Sequence, residues 1–254
     1  MFRYLAFLLL YLPLGISAQE LPDFSANYAV KIKGLQAGEL QQHLSTNSDG
    51  SRQFISTSQA KGIFAFFKPD LVEESSVWKK VNDYIQPSHY LYQRTGGKKD
   101  KYLELDFDWS ANKLSINDKK QPWQLDLEPK TLDKLVYQLS LMSDLAADKT
   151  QFTYRIADGG KIKTYVIELI AEEVITTQLG KIQTVKLKRI KEEPSNRKTI
   201  LWCAPSLYFL PVKLQHTEKD GTVFTATLRS LKGISIDEAF IPTPSPNPIG
   251  FPPK

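Results

Sequence analysis

Apolar and polar residues alternate along most of this chain. The clearest case is Tyr102 to Trp109, where Leu103, Leu105, Phe107 and Trp109 fall on one side and Glu104, Asp106 and Asp108 on the other. Successive side chains of a strand point to opposite faces, so this pattern predicts a half-buried strand. Weaker versions predict strands over 24–33, 39–46, 52–60, 72–81, 85–94, 114–117, 123–127, 152–157, 163–171, 174–178, 181–191, 199–203, 211–218 and 222–231. Asp49-Gly50, Gly96-Gly97, Asp158-Gly159-Gly160, Gly180 and Asp220-Gly221 mark turns between them, because glycine accepts the positive φ that tight turns need. Strands joined by such short turns pair antiparallel.

The period changes once. Leu132, Leu135, Val136, Leu139, Met142 and Ala146 recur at helical spacing, and Tyr137, Leu141 and Leu145 widen that face. This predicts one helix over about 132–147 that needs a surface wrapped around it. A sheet of more than about ten twisted strands curls or splits. The expected fold is therefore mainly β: a large curved antiparallel sheet or open barrel packed on that helix. The C-terminal residues 241–254 are dense in proline, which favours an extended tail over helix or central strand. The expected organisation is a signal peptide over 1–18, a single β-rich domain over 19–236 and a proline-rich tail over 237–254.

The N-terminus adds a location. Arg3 precedes an apolar run from Tyr4 to Leu14, and Gly15-Ile16-Ser17-Ala18 ends on small residues. This is the layout of a secretory signal peptide cut after Ala18, and its apolar run is too short for a normal membrane span. No cysteine lies near the cut, so a lipid-anchored cysteine is not expected. The destination read from this signal is the periplasm. No later apolar run is long enough for a transmembrane segment. Cys203 is the single cysteine, so no intrachain disulfide can form and the core must hold the fold. A hydrophobic content of 41% allows that. The net charge of +5 comes from lysines interleaved with acids, the pattern of a solvated surface with a mild attraction to anionic lipid heads. It argues against a nucleic-acid partner.

Several patterns, taken in order, resemble an exported family of Gram-negative bacteria, the one catalogued as domain of unknown function 3108. They begin with Tyr28-Ala29-Val30 before Gly34 and Ala37-Gly38-Glu39, and continue with Pro87, Tyr90, Tyr92 and then Phe107-Asp108-Trp109. The segment Thr131 to Leu141 and Gly180 before an alternating strand also fit. The strongest part is Leu201-Trp202-Cys203-Ala204-Pro205 followed by Leu210-Pro211-Val212-Lys213-Leu214. The resemblance covers roughly 24–232. It implies an exported β-rich domain and supplies no activity or catalytic residue. A looser likeness, in architecture alone, is to half-barrel lipoprotein carriers and lipoprotein-binding sensors, where a curved sheet and helices enclose an apolar cavity.

Candidate chemistry is sparse. His43, His89 and His216 have no metal-ligand spacing, and no metal or cofactor is expected. Of the three, His216 merits attention, because it follows Val212 and Leu214 on one strand face. Cys203 and His216 match a thiol enzyme in residue type only. Glu104, Asp106 and Asp108 share a strand face but lack the tight loop of a calcium site. No nucleophile elbow, phosphate loop or dinucleotide glycine pattern is present, so no catalytic residue is assigned. The most suggestive feature is apolar: Gly62-Ile63-Phe64-Ala65-Phe66-Phe67-Lys68-Pro69 is either fully buried, the reading favoured here, or a lip meeting lipid or a partner. The residues expected to form an apolar lip or cavity are Phe64, Phe66, Phe67, Trp78, Tyr90, Tyr92, Leu139 and Trp202.

These readings point first to a non-enzymatic exported protein that binds an apolar ligand, a lipid or acyl chain, or assists envelope assembly. Two others stay open: a structural or interaction module docking an envelope protein partner, and a cryptic hydrolase. N-terminal sequencing of the exported protein should read Gln19-Glu20-Leu21; a chain that keeps Arg3 would remove the export reading.

Overall fold

The computed structural model describes residues 20–241 apart from 68, 98 and 191–195. The signal segment with its cut after Ala18, the side chain of Phe67 and residues 242–254 of the tail lie outside the described residues. Fifteen strands form one sheet. The first eight are β1 (Phe24–Ile32), β2 (Leu35–Thr46), β3 (Arg52–Ala60), β4 (Leu71–Val81), β5 (Tyr84–Thr95), β6 (Lys101–Asp108), β7 (Lys113–Asn117) and β8 (Trp123–Asp126). A short helix, α1 (Ile63–Phe67), joins β3 to β4. After them come β9 (Thr131–Asp133), helix α2 (Tyr137–Ala146), β10 (Phe152–Asp158), β11 (Lys161–Thr177), β12 (Gly180–Ile190), β13 (Lys198–Ala204), β14 (Leu210–Thr217) and β15 (Val223–Lys232).

The spatial order is β8-β7-β6-β5-β4-β3-β2-β1-β15-β14-β13-β12-β11-β10-β9. Every pair is antiparallel except β9 with β10, which run parallel. The mainly β, curved-sheet expectation therefore holds. The sheet rolls up until its ends overlap: β9 lies against β5, and the ring of Trp123 on β8 reaches the β10–β11 turn at Gly160. The ends share no strand ladder. Side chains close the seam instead. Ser76 Oγ on β4 donates to Asp133 Oδ2 at 2.5 Å, Lys134 Nζ stands 3.3 Å from Glu74 Oε1, and the Lys130 ammonium sits 4.0 Å over the Tyr84 ring.

Because neighbours alternate in direction, the connections collect at two rims. One rim carries the turns β1–β2, β3–β4 with α1, β5–β6, β7–β8, β10–β11, β12–β13 and β14–β15; the other carries the rest. Helix α2 runs back through the interior toward the second rim. There Leu139, Met142 and Ala146 meet Trp78, Ile85 and Tyr208. Leu139, Leu141, Met142 and Leu145 are buried, so α2 plugs that end.

Three elements differ from the sequence reading. The helix starts at Tyr137 and not at 132, because residues 131–133 pair with β10. The Asp133 carboxylate then accepts the backbone N–H of Leu135 at 2.8 Å and of Val136 at 2.9 Å. An aspartate bonding to its own downstream backbone competes with helix and sets the helix start further on. The segments read as separate strands at 163–171 and 174–178 are one strand, β11, with a bulge between Leu169 and Ala171. Residues 237–241, assigned to the tail, pack on the domain: Phe240 is buried, and Ile241 exchanges backbone hydrogen bonds with Lys181.

Asp133 is fully buried, and burial raises its carboxyl pKa to about 6 against the ordinary 3.8, with the nearby Glu74 adding to the rise. Between these values the folded state binds more protons than the unfolded one. This group's effect on stability is therefore favourable at low pH and is lost as pH rises through about 6, by up to ~3 kcal/mol. Asp133→Asn keeps the acceptor for Leu135 and Val136, and its urea-unfolding free energy should lack this fall between pH 4 and 7. Asp133→Ala strands two N–H groups and the Ser76 hydroxyl and should be several kcal/mol less stable. An unchanged pH profile in Asp133→Asn would show that the carboxyl does not titrate there.

Candidate functional site

The end opposite the plug is open. A cavity of about 490 Å³ lies there, within the range of about 300–1,000 Å³ that holds small molecules. Tyr90 and Tyr92 come from the inner face of β5, Leu103 from β6, and Trp123 from β8. These residues share a face because Tyr90 pairs with Leu105 and Tyr92 with Leu103, and Leu105 pairs with Ile116, the partner of Trp123. Lys134, at the turn after β9, and Asp158, at the end of β10, complete the floor, while Lys101 and Lys120 stand at the entrance.

The polar groups of the floor are paired. Tyr90 Oη donates to Glu74 Oε1 at 2.6 Å. Lys134 shares that same oxygen and lies 5.0 Å over the Tyr92 ring. Asp158 Oδ2 accepts from Lys163 Nζ at 2.7 Å and Tyr165 Oη at 2.8 Å. Burial opposes the charge on Lys134, yet the carboxylates of Glu74 and Asp158 outweigh it and hold its pKa above the usual lysine value. Burial likewise opposes the charge on Asp158, and its bonds from Lys163 and Tyr165 still hold its pKa low. Burial, with Glu74 beside it, pushes the Tyr90 hydroxyl far up, so it acts as a neutral donor. The floor thus presents one fixed ammonium among aromatic rings. With three N–H donors, that ammonium can hold Glu74 and still reach an anion in the cavity.

Of the residues expected to form one apolar lip or cavity, the structure brings Tyr90 and Tyr92 together here. Trp78 and Leu139 line a separate apolar cavity of about 90 Å³ at the plugged end. Phe64 and Phe66 lie on α1 at the open rim, where Ile63 is 69% and Phe66 84% exposed. The buried reading of this segment does not hold at those two positions; α1 is an outward turn and not an inner strand. Trp202 is on the other face of the sheet: Lys186 and Lys213 pair with it in register and stack on its ring, and its Nε1 donates to Glu173. Lys134, Glu74 and Asp158 escaped the sequence reading. Glu74 carried a signal, since it falls in phase with Ser76 and Trp78 on the inner face of β4.

Other candidate chemistry separates in space. Cys203 is fully buried and burial raises its thiol pKa, the opposite of an activated nucleophile. It pairs in register with Pro211, whereas His216 pairs with Thr199 and bonds its hydroxyl at 2.9 Å. Asp108 turns away to cap Ser110 and Ala111. His89 instead joins the two remaining acids on the outer face, with Nδ1 2.8 Å from Asp106 Oδ1 and Nε2 3.9 Å from Glu104 Oε1. Donor atoms of these three lie within 4.8 Å of one another. Both ring nitrogens are already engaged by carboxylates, as in an ordinary surface ion pair.

The family described as "Protein of unknown function (DUF3108)" matches residues 27–229. The chain belongs to this family. No curated protein matches it. Among solved structures it is similar to a crystal structure titled as a beta-barrel-like protein of domain of unknown function DUF1849 from Brucella abortus. That likeness has a TM-score of 0.53 at 8% identity, over 84% of this chain and 98% of the other. At such identity it speaks for the fold, and a rolled, barrel-like sheet is common to both. No helix among the described residues of this DUF3108 protein is long and apolar enough to cross a membrane.

A side chain at Gly160 would meet the Trp123 ring at 2.4 Å, while one at Gly159 finds nothing closer than 3.9 Å; both positions have positive φ. Gly159→Ala therefore carries backbone strain alone, and Gly160→Ala adds a clash. Gly160→Ala should lose about 1–2 kcal/mol and shift tryptophan emission as Trp123 leaves the seam, whereas Gly159→Ala should leave the emission unchanged. Identical spectra would show that Trp123 does not close the mouth.

Proposed function

We propose that this is a non-enzymatic binding protein of the bacterial envelope, exported to the periplasm, whose open-end cavity holds an amphiphilic anion. The observation that carries the reading is the composition of that cavity. Tyr90, Tyr92, Leu103 and Trp123 offer an apolar wall, and Lys134 offers an ammonium beside it; Lys101 and Lys120 at the mouth stand with Asp100 and Asp118, which offset their charge. An acyl chain or comparable apolar segment packs on the wall, and its carboxylate or phosphate reaches Lys134. The space between sheet and helix is not used for this. One cavity there, of about 90 Å³, is smaller than the roughly 150 Å³ cavity known to take benzene; a second, of about 430 Å³, has a helix wall of Ser140, Ser143 and Asp144, which is polar and carries a carboxylate that opposes an anion. A binding role without catalysis accords with a floor whose acids and tyrosines are mutually paired and with the inert Cys203.

A fluorescent fatty acid titrated into the purified protein should bind, and free long-chain carboxylates should displace it. Lys134→Met should weaken binding roughly 10–100-fold, the value of one charge-assisted hydrogen bond. Tyr92→Ala should weaken it through lost wall contact, and Trp78→Phe at the plugged end should leave it intact. Failure of the wild-type protein to bind any anionic amphiphile would overturn the reading.

A further inference from the structure

The net charge conceals a separation between the rims. At the open rim, six turns each carry a lysine: Lys33, Lys61, Lys99, Lys119, Lys161 and Lys219. Of these, Lys33, Lys99, Lys161 and Lys219 are exposed and form no direct ion pair with a described residue, although Lys33 is near enough to Asp220 to help hold its carboxyl pKa low. Of the acids at this rim, Asp70 binds Arg94, Asp158 binds Lys163 and Glu218 binds Arg197, while Asp100, Asp118 and Asp220 adjoin Lys99, Lys119 and Lys219 and offset part of their charge. At the plugged rim Lys79–Asp49, Lys80–Asp83 and Lys113–Asp126 are paired; Lys130, Lys181 and Lys232 form no ion pair with a described residue, but acids at this rim, among them Asp108, Glu128, Asp148, Asp237 and Glu238, balance them in number. Positive charge therefore exceeds negative charge at the open rim and does not at the other.

The same end carries the most exposed apolar side chains among the described residues. Phe66 is 84%, Ile63 69% and Leu35 65% exposed. They are neighbours by topology, since α1 packs on β2, which begins at Leu35. Leaving such groups in water gains nothing for the fold, and exposed apolar groups that cluster in this way mark a contact surface. Apolar side chains within a ring of dispersed lysines fit an anionic lipid surface. The apolar groups enter the headgroup region, and each lysine near the surface adds about fivefold in affinity. A protein partner would need matched acids opposite each lysine. A fluid anionic surface satisfies them wherever they stand on the rim.

We infer that the protein docks by its open rim, α1 first, on a membrane containing anionic phospholipid. Docking in this orientation points the cavity mouth at the bilayer. The inference stands on the rim and does not need the cavity to be occupied.

The test is flotation of the full folded protein with vesicles of phosphatidylglycerol mixed with phosphatidylcholine, against phosphatidylcholine alone, at low and high salt. The wild-type protein should float with the anionic vesicles, weakly or not at all with the neutral ones, and less in high salt. Ile63→Ser/Phe66→Ser should lose binding. Lys33→Gln/Lys219→Gln should lose roughly 25-fold, two steps of about fivefold. Lys80→Gln/Lys113→Gln at the plugged rim should bind like the wild type. Circular dichroism confirms that each variant is folded. Equal binding to neutral vesicles, equal loss from the plugged-rim variant, or binding insensitive to Phe66 and Ile63 would each overturn the inference; the last would point to a polyanion and not a bilayer. Lys134→Met should still float, which separates failure of docking from failure of the cavity reading.

Discussion

The two ends of the sheet never meet as a hydrogen-bonded ladder, so the barrel stays rolled only through side chains that cross the seam. The most buried of these crossings is Asp133. Its carboxylate takes a hydroxyl from β4 and two backbone N–H groups from the turn that launches α2. One group thus fixes the closure of the sheet and the start of the helix. Burying a carboxyl is costly unless its hydrogen bonds are made. That cost is what makes the joint specific, because any other register of β9 against β10 would move Asp133 away from Ser76.

Closure at this point dictates what lies on either side of it. The next residue, Lys134, is carried into the open end beside Glu74 and Tyr92, and the helix beyond it is carried toward the opposite rim. The interior is consequently divided. The plugged half is packed with Leu139, Leu141, Met142 and Leu145. The open half holds charged and phenolic groups that partner one another. A cavity persists there because paired polar groups tolerate solvent; the same holds on the polar side of α2, where Ser140, Asp144 and Lys149 line a cavity of about 430 Å³.

The rims diverge for a related reason. The turns at the open end need only be soluble, and they carry more lysines than acids. The turns at the plugged end sit around α2, and Lys79, Lys80 and Lys113 there are held by neighbouring aspartates. Helix α1 interrupts the open rim with an outward turn on which Ile63 and Phe66 are largely exposed. The 490 Å³ cavity, the excess of lysines and the exposed Phe66, Ile63 and Leu35 therefore share one end of the molecule.

The sequence by itself determined the element types. Period two in Tyr102 to Trp109 placed Leu105 and Phe107 inside and Asp106 and Asp108 outside, because side-chain direction along a strand follows from local geometry alone. Glycine turns located most hairpins, and too many strands to lie flat implied a rolled sheet. Some local features misled. The helical spacing from Leu132 was real, but β10 and the Asp133 carboxylate claimed its first residues. Ile63 and Phe66 of α1 read as core, because composition cannot tell an inner strand from an outward turn. Trp202 read as lining, although its face is set by the register of β13 against Lys186 and Lys213. Only the tertiary structure decided the site and the charged rim. Glu74, Lys134, Asp158 and Trp123 are far apart along the chain, and the lysines of the open rim come from separate hairpins. What joins them is the order of fifteen strands and the seam at which they close, and no local pattern encodes a distance across a barrel.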